Sequence, residues 1–329
     1  MAKEPAKPKV AFYWCASCGG CEEAVVDLAE GVLDVVGAVD IVFWPVALDF
    51  KVRDVKALPD ESLVVSFING AIRLSEQEEM ARLLRRKSKY VIAFGSCSHM
   101  GGVPGLANLW DKASIFDWYY HKAPSVAPGN VREPREQVRV PEGTLELPAF
   151  WDTVKTLDQV IDVDYYLPGC PPTPKLLADA VAALLRGDLP PKGSVLAGPR
   201  ALCHECPLKD TKPEKLLLKD LKRTSLAKVD PETCILAQGF VCLGPVTRGG
   251  CEALCVKGNM PCTGCFGPTD EVRDQGAKGI SYLSSIVDFD EEADIQRALE
   301  NLPDPVGTFY RYSLPRSYLM RAKEVKQHG

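Results

Sequence analysis

The first half of the chain alternates short apolar runs with amphipathic segments. Each apolar run has the length of a buried strand, and the runs lie at residues 10–14, 41–46, 63–68, 90–94 and 160–167. Three further segments have helical character, at residues 22–36, 75–87 and 173–187. Strands that alternate with helices predict a parallel sheet covered on both faces, so we expect an α/β fold of the flavodoxin-like type.

Local signals mark the limits of the second and third helices. Ser75 and Glu78 form a capping-box pattern at the start of the second. Thr173 and Pro174 begin the third, and Gly187 ends it. Turn chemistry and hydrophobic pattern therefore agree in this half of the chain.

A long insertion, residues 103–158, separates the fourth strand from the fifth. Besides several prolines, it carries the aromatic residues Trp110, Trp118, Tyr119, Tyr120 and Trp151. A segment of this length without structure of its own is uncommon in a compact domain. The aromatic side chains suit a docking surface and equally suit packing against the sheet, and the sequence leaves both interpretations open.

The second half is rich in cysteine and poor in regular patterns. Pro190, Pro191 and Gly193 mark a boundary between the halves. Eight of the 13 cysteines fall within the 63 residues from 203 to 265, where only residues 213–224 have the pattern of a regular element. Such a region is expected to depend on metals more than on an apolar core.

The end of the chain returns to regular patterns. Helices are expected at residues 270–286, with Asp270 as N-cap, and at residues 291–299. The tail at residues 306–319 holds Phe309 and two tyrosines. We expect this tail to pack on a core or on a partner.

Composition and charge narrow the class of protein. The chain has 329 residues, of which 46% are hydrophobic and 25% charged, as in an ordinary globular protein with one or two cores. A net charge of −5 argues against nucleic acid as a partner. No apolar run approaches the ~20 residues that cross a bilayer, and residues 1–9 lack the apolar part of a secretory signal. We therefore expect a cytoplasmic location without direct membrane insertion.

Cysteines follow the ends of three predicted strands. Cys18 and Cys21 come after the first strand, Cys97 after the fourth and Cys170 after the fifth. Open parallel sheets bind ligands beyond the carboxyl ends of their strands, so we expect these four thiols to converge. Adjacent glycines would let the backbone approach inorganic sulfide closely and donate N–H bonds to it. Burial as small hydrophobic residues is the alternative for Cys97 and Cys170, and the repeated placement at strand ends argues against it.

Thiolates in this number favour iron–sulfur clusters over two other interpretations. Structural disulfides are disfavoured in a reducing compartment. Zinc is the second alternative, because Cys203 and Cys206, and again Cys262 and Cys265, have the spacing of zinc-ribbon pairs. The 55 residues between these pairs, with four more cysteines among them, are too many for a compact ribbon. The four histidines are scattered, and His204 is expected to be a bystander.

Cysteine and glycine motifs are spread along nearly the whole chain. They are Cys18-Gly19-Gly20-Cys21 preceded by Trp14, Gly95-Ser96-Cys97 followed by Gly101-Gly102 and Pro104-Gly105, Pro168-Gly169-Cys170-Pro171-Pro172, Cys242-Leu243-Gly244-Pro245, Pro261-Cys262 followed by Gly264-Cys265, and Asp274-Gln275-Gly276-Ala277-Lys278. Together they resemble the small, electron-transferring subunit of nickel–iron hydrogenases. The chain is most similar to the cytoplasmic group, which includes the methyl-viologen-reducing, heterodisulfide-reductase-linked and deazaflavin-reducing enzymes.

The resemblance implies three 4Fe–4S clusters, each held by four cysteines. The proximal set is Cys18, Cys21, Cys97 and Cys170. The medial set is Cys251, Cys255, Cys262 and Cys265. The distal set is Cys203, Cys206, Cys234 and Cys242. The proximal set would belong to a flavodoxin-like domain at residues 1–190, and the other two to an irregular iron–sulfur domain at residues 191–329.

Three positions give the resemblance more detail. Many relatives have proline where Cys255 stands, so a cysteine there implies a four-iron rather than a three-iron medial cluster. Cys15 is left over and is expected to be a dispensable free thiol. Ser17 stands where many hydrogenases carry a proton-relay glutamate, which is a departure from the family pattern.

The function implied is that of an oxidoreductase subunit without a catalytic residue of its own. It would relay electrons between the active site of a separate large subunit and an iron–sulfur or flavin acceptor subunit, for which a heterodisulfide-reductase-like protein is one candidate. The alternative is a relay subunit in a related redox complex whose large subunit has no nickel site. The respiratory complex I counterpart has adjacent cysteines and one cluster, and this chain has neither feature. A zinc-stabilised scaffold is a third, non-redox interpretation.

Overall fold

Nine strands form in the computed structural model, which describes residues 7–127, 129, 131–289 and 291–321. In chain order the strands are β1 (Lys9–Trp14), β2 (Asp40–Phe43), β3 (Leu63–Asn69), β4 (Ile72–Leu74), β5 (Ser88–Phe94), β6 (Gln137–Val140), β7 (Gly143–Glu146), β8 (Phe150–Lys155) and β9 (Tyr165–Leu167). The main sheet has five strands in the order β2-β1-β3-β5-β9, and every neighbouring pair is parallel. This is the strand order of flavodoxin-like folds, so the predicted fold class is confirmed.

The helices cover both faces of this sheet and continue into the second half of the chain. In chain order they are α1 (Gly20–Val26), α2 (Gly31–Ala38), α3 (Val52–Ala57), α4 (Ser75–Lys87), α5 (Gly95–Met100), α6 (Lys112–Asp117), α7 (Pro174–Arg186), α8 (Leu254–Lys257), α9 (Gln275–Ser284), α10 (Glu292–Glu300) and α11 (Pro305–Phe309). Within the described residues, no helix is long and apolar enough to cross a membrane.

Side chains alternate between the two faces of the sheet, and each face has its own core. On one face, Phe12 of β1 stacks on Phe67 of β3 with ring centroids 4.9 Å apart, and α7 packs over them. On the other face, Ile68 of β3 and Val91 of β5 are fully buried beneath α4. The sheet is therefore buried on both sides, as its nearly continuous apolar strands predict.

Three predicted elements of the sheet region are wrong in their extent, and one of them is the strand expected at residues 41–46, which ends at Phe43. The helix expected at residues 22–36 is two helices, because Ala29 adopts a left-handed φ of 51° between α1 and α2. The strand expected at residues 160–167 is extended only over β9. Val160 follows a 3₁₀ turn and is buried there as a core residue, so its apolar character does not report a strand.

Two predicted helix caps are also wrong, although their helices form. The Ser75 hydroxyl accepts from the Ala149 N–H at 3.0 Å, and it is Gln77 that accepts from the Leu74 N–H at the start of α4. Asp270 pairs with the buried Arg248 instead of capping a helix. The N-cap of α9 is Asp274, whose carboxylate accepts from the Ala277 N–H at 2.8 Å.

The insertion forms two small pairs of strands, one of them with β4 from outside it. β4 pairs antiparallel with β8, and β6 and β7 form a hairpin. Trp110 and Trp118 are 57% and 54% exposed, whereas Trp151 packs partly against the core beneath α4. Packing against the sheet is therefore confirmed for Trp151, whereas a docking role for the exposed Trp110 and Trp118 stays a prediction.

The second half contains short helices, turns and isolated bridges. Residues 213–224 form no helix, and only Leu218 and Lys222 make bridges there. Two smaller apolar clusters stabilise this region, one around Leu243 and Phe309 and one around Phe240. The tail packs as expected, because Phe309 and Tyr310 of this segment are buried.

Candidate metal centres

The proximal set lies on the segments that follow three strands, at one edge of the main sheet. Cys18 precedes α1 and Cys21 lies in its first turn, Cys97 lies in α5 directly after β5, and Cys170 follows β9. These segments all leave the carboxyl ends of parallel strands, so the fold itself brings the four thiols together. The convergence expected from the strand ends is therefore what the topology produces.

Glycines make room for the sulfur atoms of this set. A Cβ on Gly95 would lie 2.3 Å from the Cys21 sulfur, and a Cβ on Gly102 would lie 2.3 Å from the Cys97 sulfur. Both glycines have positive φ, which side chains rarely adopt. The backbone thus surrounds the thiols at a distance that no larger residue would permit.

The raised pKa values of Cys97 and Cys21 indicate that the proximal thiols lie close to one another. Burial, followed by the charges of Cys170 and Cys18, raises the pKa of the Cys97 thiol to about 12. The same causes, burial first and then the three other thiols, raise the pKa of Cys21 far above its usual range. Without a bound cation the Cys21 and Cys97 thiols are protonated at neutral pH, so binding of a metal would displace their protons.

The medial set lies between the sheet edge and the rest of the second half. Cys255 lies in α8 and is exposed, whereas Cys262 is only 5% exposed. Burial raises the pKa of Cys265 to about 12, an effect that the Cys170 N–H opposes and the charges of Cys251 and Cys255 reinforce. Three medial thiols therefore face a common space.

The distal set surrounds one cavity. Its four thiols line this cavity together with apolar side chains and one cation, Lys212. Burial and then the Cys242 charge raise the pKa of the Cys203 thiol to about 12, and the Lys212 ammonium opposes this shift. Lys212 is half-buried and donates to the Tyr282 hydroxyl at 3.0 Å. It is thus a fixed positive charge beside the distal thiols.

Direct contacts join the medial set to both of the others. The hydroxyl of Ser96, which precedes Cys97 of the proximal set, donates to the Cys265 carbonyl, and besides burial the Cys170 charge contributes to the raised pKa of Cys265. At the other end, the Cys262 N–H donates to the Cys242 sulfur of the distal set at 3.3 Å. The order in space is therefore proximal, medial and distal.

Cys15 stands apart from these three sets. Its side chain belongs to the core beneath α4, whereas Cys21 belongs to the core on the opposite face of the sheet. Burial alone raises the pKa of Cys15 far above its usual range, and its charge acts on Tyr13. The geometry matches a small buried hydrophobic residue.

Sequence reasoning missed a buried carboxyl next to the proximal set. Glu22 is 3% exposed and accepts hydrogen bonds from Trp44 and Asn69, and Asn69 also accepts from the Ser17 hydroxyl at 2.9 Å. Burial raises the pKa of Glu22, and its two hydrogen bonds partly offset that effect. Its position in α1 could have predicted this burial, because Glu22 lies on the inward face of the helix beside Cys21 and Val25.

The two histidines next to cysteines of the proximal and distal sets differ in burial. His204 is exposed, and His99 is buried against Tyr166 with ring centroids 4.6 Å apart. Within the described part of the chain, no three His, Cys, Asp or Glu side chains are arranged to hold a single metal ion. All thirteen cysteines are free thiols.

Comparisons with known proteins place the chain among redox subunits. The family described as "NADH ubiquinone oxidoreductase, 20 Kd subunit" matches residues 18–184. The iron–sulfur subunit of the F420-non-reducing hydrogenase of Archaeoglobus profundus is 41% identical over 93% of this chain and 96% of its own length. A subunit of the F420-non-reducing hydrogenase of Methanothermobacter marburgensis is 36% identical over 98% of this chain and 99% of its own length.

A solved structure agrees at the level of the fold. A chain of the recombinant NiFeSe hydrogenase from Desulfovibrio vulgaris Hildenborough aligns over 80% of this chain and 95% of its own length, with a TM-score of 0.52 and 17% identity. Fold, cysteine sets and matched family first define the class, a small subunit of a redox enzyme. More narrowly, the chain belongs to the family of nickel–iron hydrogenase small subunits, with those of the F420-non-reducing enzymes among its relatives. The family and the oxidoreductase class predicted from the sequence are thereby confirmed.

Proposed function

We propose that this chain relays electrons through three 4Fe–4S clusters, between the nickel–iron site of a large subunit and an acceptor protein. The contacts between neighbouring thiol sets are the observation that carries this proposal. The Ser96 hydroxyl, next to Cys97, donates to the Cys265 carbonyl, and the Cys262 N–H donates to the Cys242 sulfur, so each set is in contact with the next. A relay needs this contiguity, whereas a structural metal site does not.

The residues present fit clusters of this kind. Each set offers four soft thiolates, the ligand number and type of a 4Fe–4S cluster. The Cys262 N–H donates to the Cys242 sulfur at 3.3 Å. Backbone N–H groups also oppose the burial that raises the pKa of these thiols, Gly244 at Cys242 and both Ala253 and Leu254 at Cys251. Such donors stabilise negative charge on sulfur and tune a bound cluster. When bound, the clusters supply one-electron carriers, and the chain's own groups fix their positions and exclude water.

The proximal set is the proposed contact with the large subunit. Cys18 is exposed, and the neighbouring Trp14 is 39% exposed although its ring packs against Gly19. An aromatic residue beside an exposed thiol suits a surface that a partner covers. The medial set, with a thiol at Cys255, is proposed to hold four irons rather than three.

The test of this function uses the complex of the chain with its large subunit, purified without oxygen. We expect hydrogen-dependent reduction of benzyl viologen and nickel in the large subunit. Absence of both, with the irons of this chain in place, would favour the alternative, a relay subunit in a related complex without a nickel site. A cytoplasmic location belongs to the proposal, because thirteen free thiols suit a reducing compartment.

A further inference from the structure

The segment from Lys209 to Lys228 is strongly basic within an acidic chain. It carries seven lysines and arginines against three acidic residues, whereas the whole chain has a net charge of −5. Its basic residues are Lys209, Lys212, Lys215, Lys219, Lys222, Arg223 and Lys228. All of them are exposed except the half-buried Lys212. We refer to residues 209–228 as the basic segment.

Buried leucines hold the basic segment with its charges outward. Leu216, Leu218 and Leu221 are buried in the apolar cluster that also includes Cys234 and Cys242. The Leu218 N–H donates to the Ile286 carbonyl at 2.7 Å, which fixes the segment to the end of α9. The lysines between these leucines therefore face solvent at fixed positions rather than on a mobile loop.

The segment also forms part of the wall around the distal thiols. The Cys234 N–H donates to the Thr211 hydroxyl at 2.7 Å, and the Lys209 N–H donates to the Cys206 carbonyl at 3.2 Å. Lys212 lines the same cavity as the four distal thiols. The positive surface is thus adjacent to the last set of the relay.

The basic turn at the end of α4 provides a contrast. There, Arg85 pairs with Asp164 and Lys87 pairs with Asp60 at 2.8 Å, so the local charge is largely compensated. In the basic segment, Lys219 pairs with Asp288 at 2.8 Å, yet the seven basic residues still outnumber the three acidic residues of the segment together with this partner. The exposed Leu217 and Leu226 add apolar contact area. A charged rim around apolar side chains, next to a redox site, is the composition of a transient docking surface.

We propose that the basic segment is the docking surface for an electron-transfer protein with an acidic face. This inference rests on the proposed function, because it takes the distal set as the point where electrons leave or enter the chain. Opposite charges on two proteins raise their rate of encounter by about 10- to 1,000-fold, and salt suppresses the effect. A brief, oriented encounter is what a fast relay requires.

The experiment measures electron transfer from the hydrogen-reduced complex to two protein probes. One probe is a plant-type 2Fe–2S ferredoxin, which is acidic, and the other is cytochrome c, which is basic. Each hydrogen molecule gives two electrons and two protons, and each probe molecule takes one electron. Rates are divided by the benzyl viologen rate of the same preparation and followed from about 20 to about 300 mM salt.

Two double variants carry the same change in charge at different places. Lys215→Glu with Lys222→Glu alters the basic segment, and Lys56→Glu with Arg86→Glu alters exposed residues of the sheet region. We expect the first to lower the relative ferredoxin rate at least about tenfold at low salt, and the second less than about twofold. The neutral pair Lys215→Gln with Lys222→Gln should give an intermediate loss, and the cytochrome c rate should not fall.

Several outcomes would overturn the docking site. These are equal losses in the two double variants, a wild-type ferredoxin rate that salt does not change, or no ferredoxin reduction by a complex that reduces viologen. Tighter binding of poly(U) RNA than of ferredoxin at this surface would assign it to nucleic acid instead. A wild-type complex that holds its irons and reduces no viologen would contradict the proposed function itself, and the docking site with it.

Discussion

The sheet region and the cysteine-rich region hold thiols in place by different means. In the sheet region, the proximal cysteines follow the ends of strands in a sheet whose side chains, such as Phe67 and Phe94, are almost completely buried. Between residues 200 and 270, regular structure is limited to α8, short turns and bridges. There, Cys262 is itself a buried member of the apolar cluster around Phe240, and Cys206, Cys242 and Cys251 pack against it.

This difference indicates how each region depends on metal. The sheet buries its apolar surface whether or not the thiols at its edge are ligated. In the cysteine-rich region the thiols are part of the small core, so ligation and folding are expected to be one process. The sheet region is a scaffold that receives a cluster, and the cysteine-rich region is shaped by its clusters.

Iron removal should produce the largest contrast between the two regions. After anaerobic chelation, we expect residues 200–270 to lose amide protection, because their remaining apolar clusters are small. Strands β1, β3 and β5 should stay protected, since no medial or distal thiol is a buried member of their two cores, and Cys251 and Cys265 only pack against the edge of one of them. Hydrogen exchange read by mass spectrometry measures both regions in one sample. Equal loss of protection in both would show that the sheet does not stand alone.

Substitution in the first loop should separate a ligand from a core thiol. Cys18→Ser is expected to remove the proximal cluster, about four irons per chain, and to disconnect the large subunit. Cys15→Ser should keep the full iron content and transfer rate, because Cys15 lies in the core on the other face of the sheet. Iron analysis and electron paramagnetic resonance of the two variants check this. Similar iron loss in both would mean that the proximal ligands are wrongly assigned.

A smaller change is expected in the medial set. Cys255→Pro should remove one thiolate and about one iron, giving a three-iron cluster with a raised potential. Cys255 is near the start of α8, where proline is tolerated, so the local fold should persist. Electron paramagnetic resonance of the oxidised protein should show a new three-iron signal. If the spectrum matches the wild type, Cys255 is not a ligand.

The smallest expected effect concerns Lys212 beside the distal set. Its positive charge favours added electrons on a bound cluster, so Lys212→Met should lower the distal midpoint potential by about 30–60 mV. Lys212→Arg keeps the charge and serves as the matched control. A redox titration followed by electron paramagnetic resonance measures both variants. An unchanged potential in Lys212→Met, with full iron content, would show that this ammonium does not tune the distal site.

The apolar pattern predicted the sheet because its strands are buried on both faces and their side chains report that directly. The same pattern failed where tertiary contacts decide, as at Ala29, where one expected helix becomes two, and at Asp270, whose carboxylate pairs with Arg248. Strand ends alone predicted the convergence of the proximal thiols. Assignment of the medial and distal cysteines needed the family resemblance, since spacing in an irregular region does not define partners.

Two findings came only from the structure: the contacts between neighbouring thiol sets, and the burial of Glu22. The hydrogen bond from the Ser96 hydroxyl to the Cys265 carbonyl joins residues far apart in the sequence, and no local pattern encodes it. Glu22 is buried because Trp44 and Asn69, which lie on other elements, satisfy its carboxylate. A glutamate at the start of a helix normally predicts solvent exposure, so long-range partners decide its place.

The number of irons and labile sulfides per chain tests the central claim, a relay of three 4Fe–4S clusters, most directly. Protein purified without oxygen should contain about twelve of each, with three reducible clusters that interact magnetically because neighbouring sets are in contact. Recovery of zinc in place of iron would contradict the claim. So would fewer than about eight irons after careful reconstitution, because three sets of four thiols would then not all hold 4Fe–4S clusters.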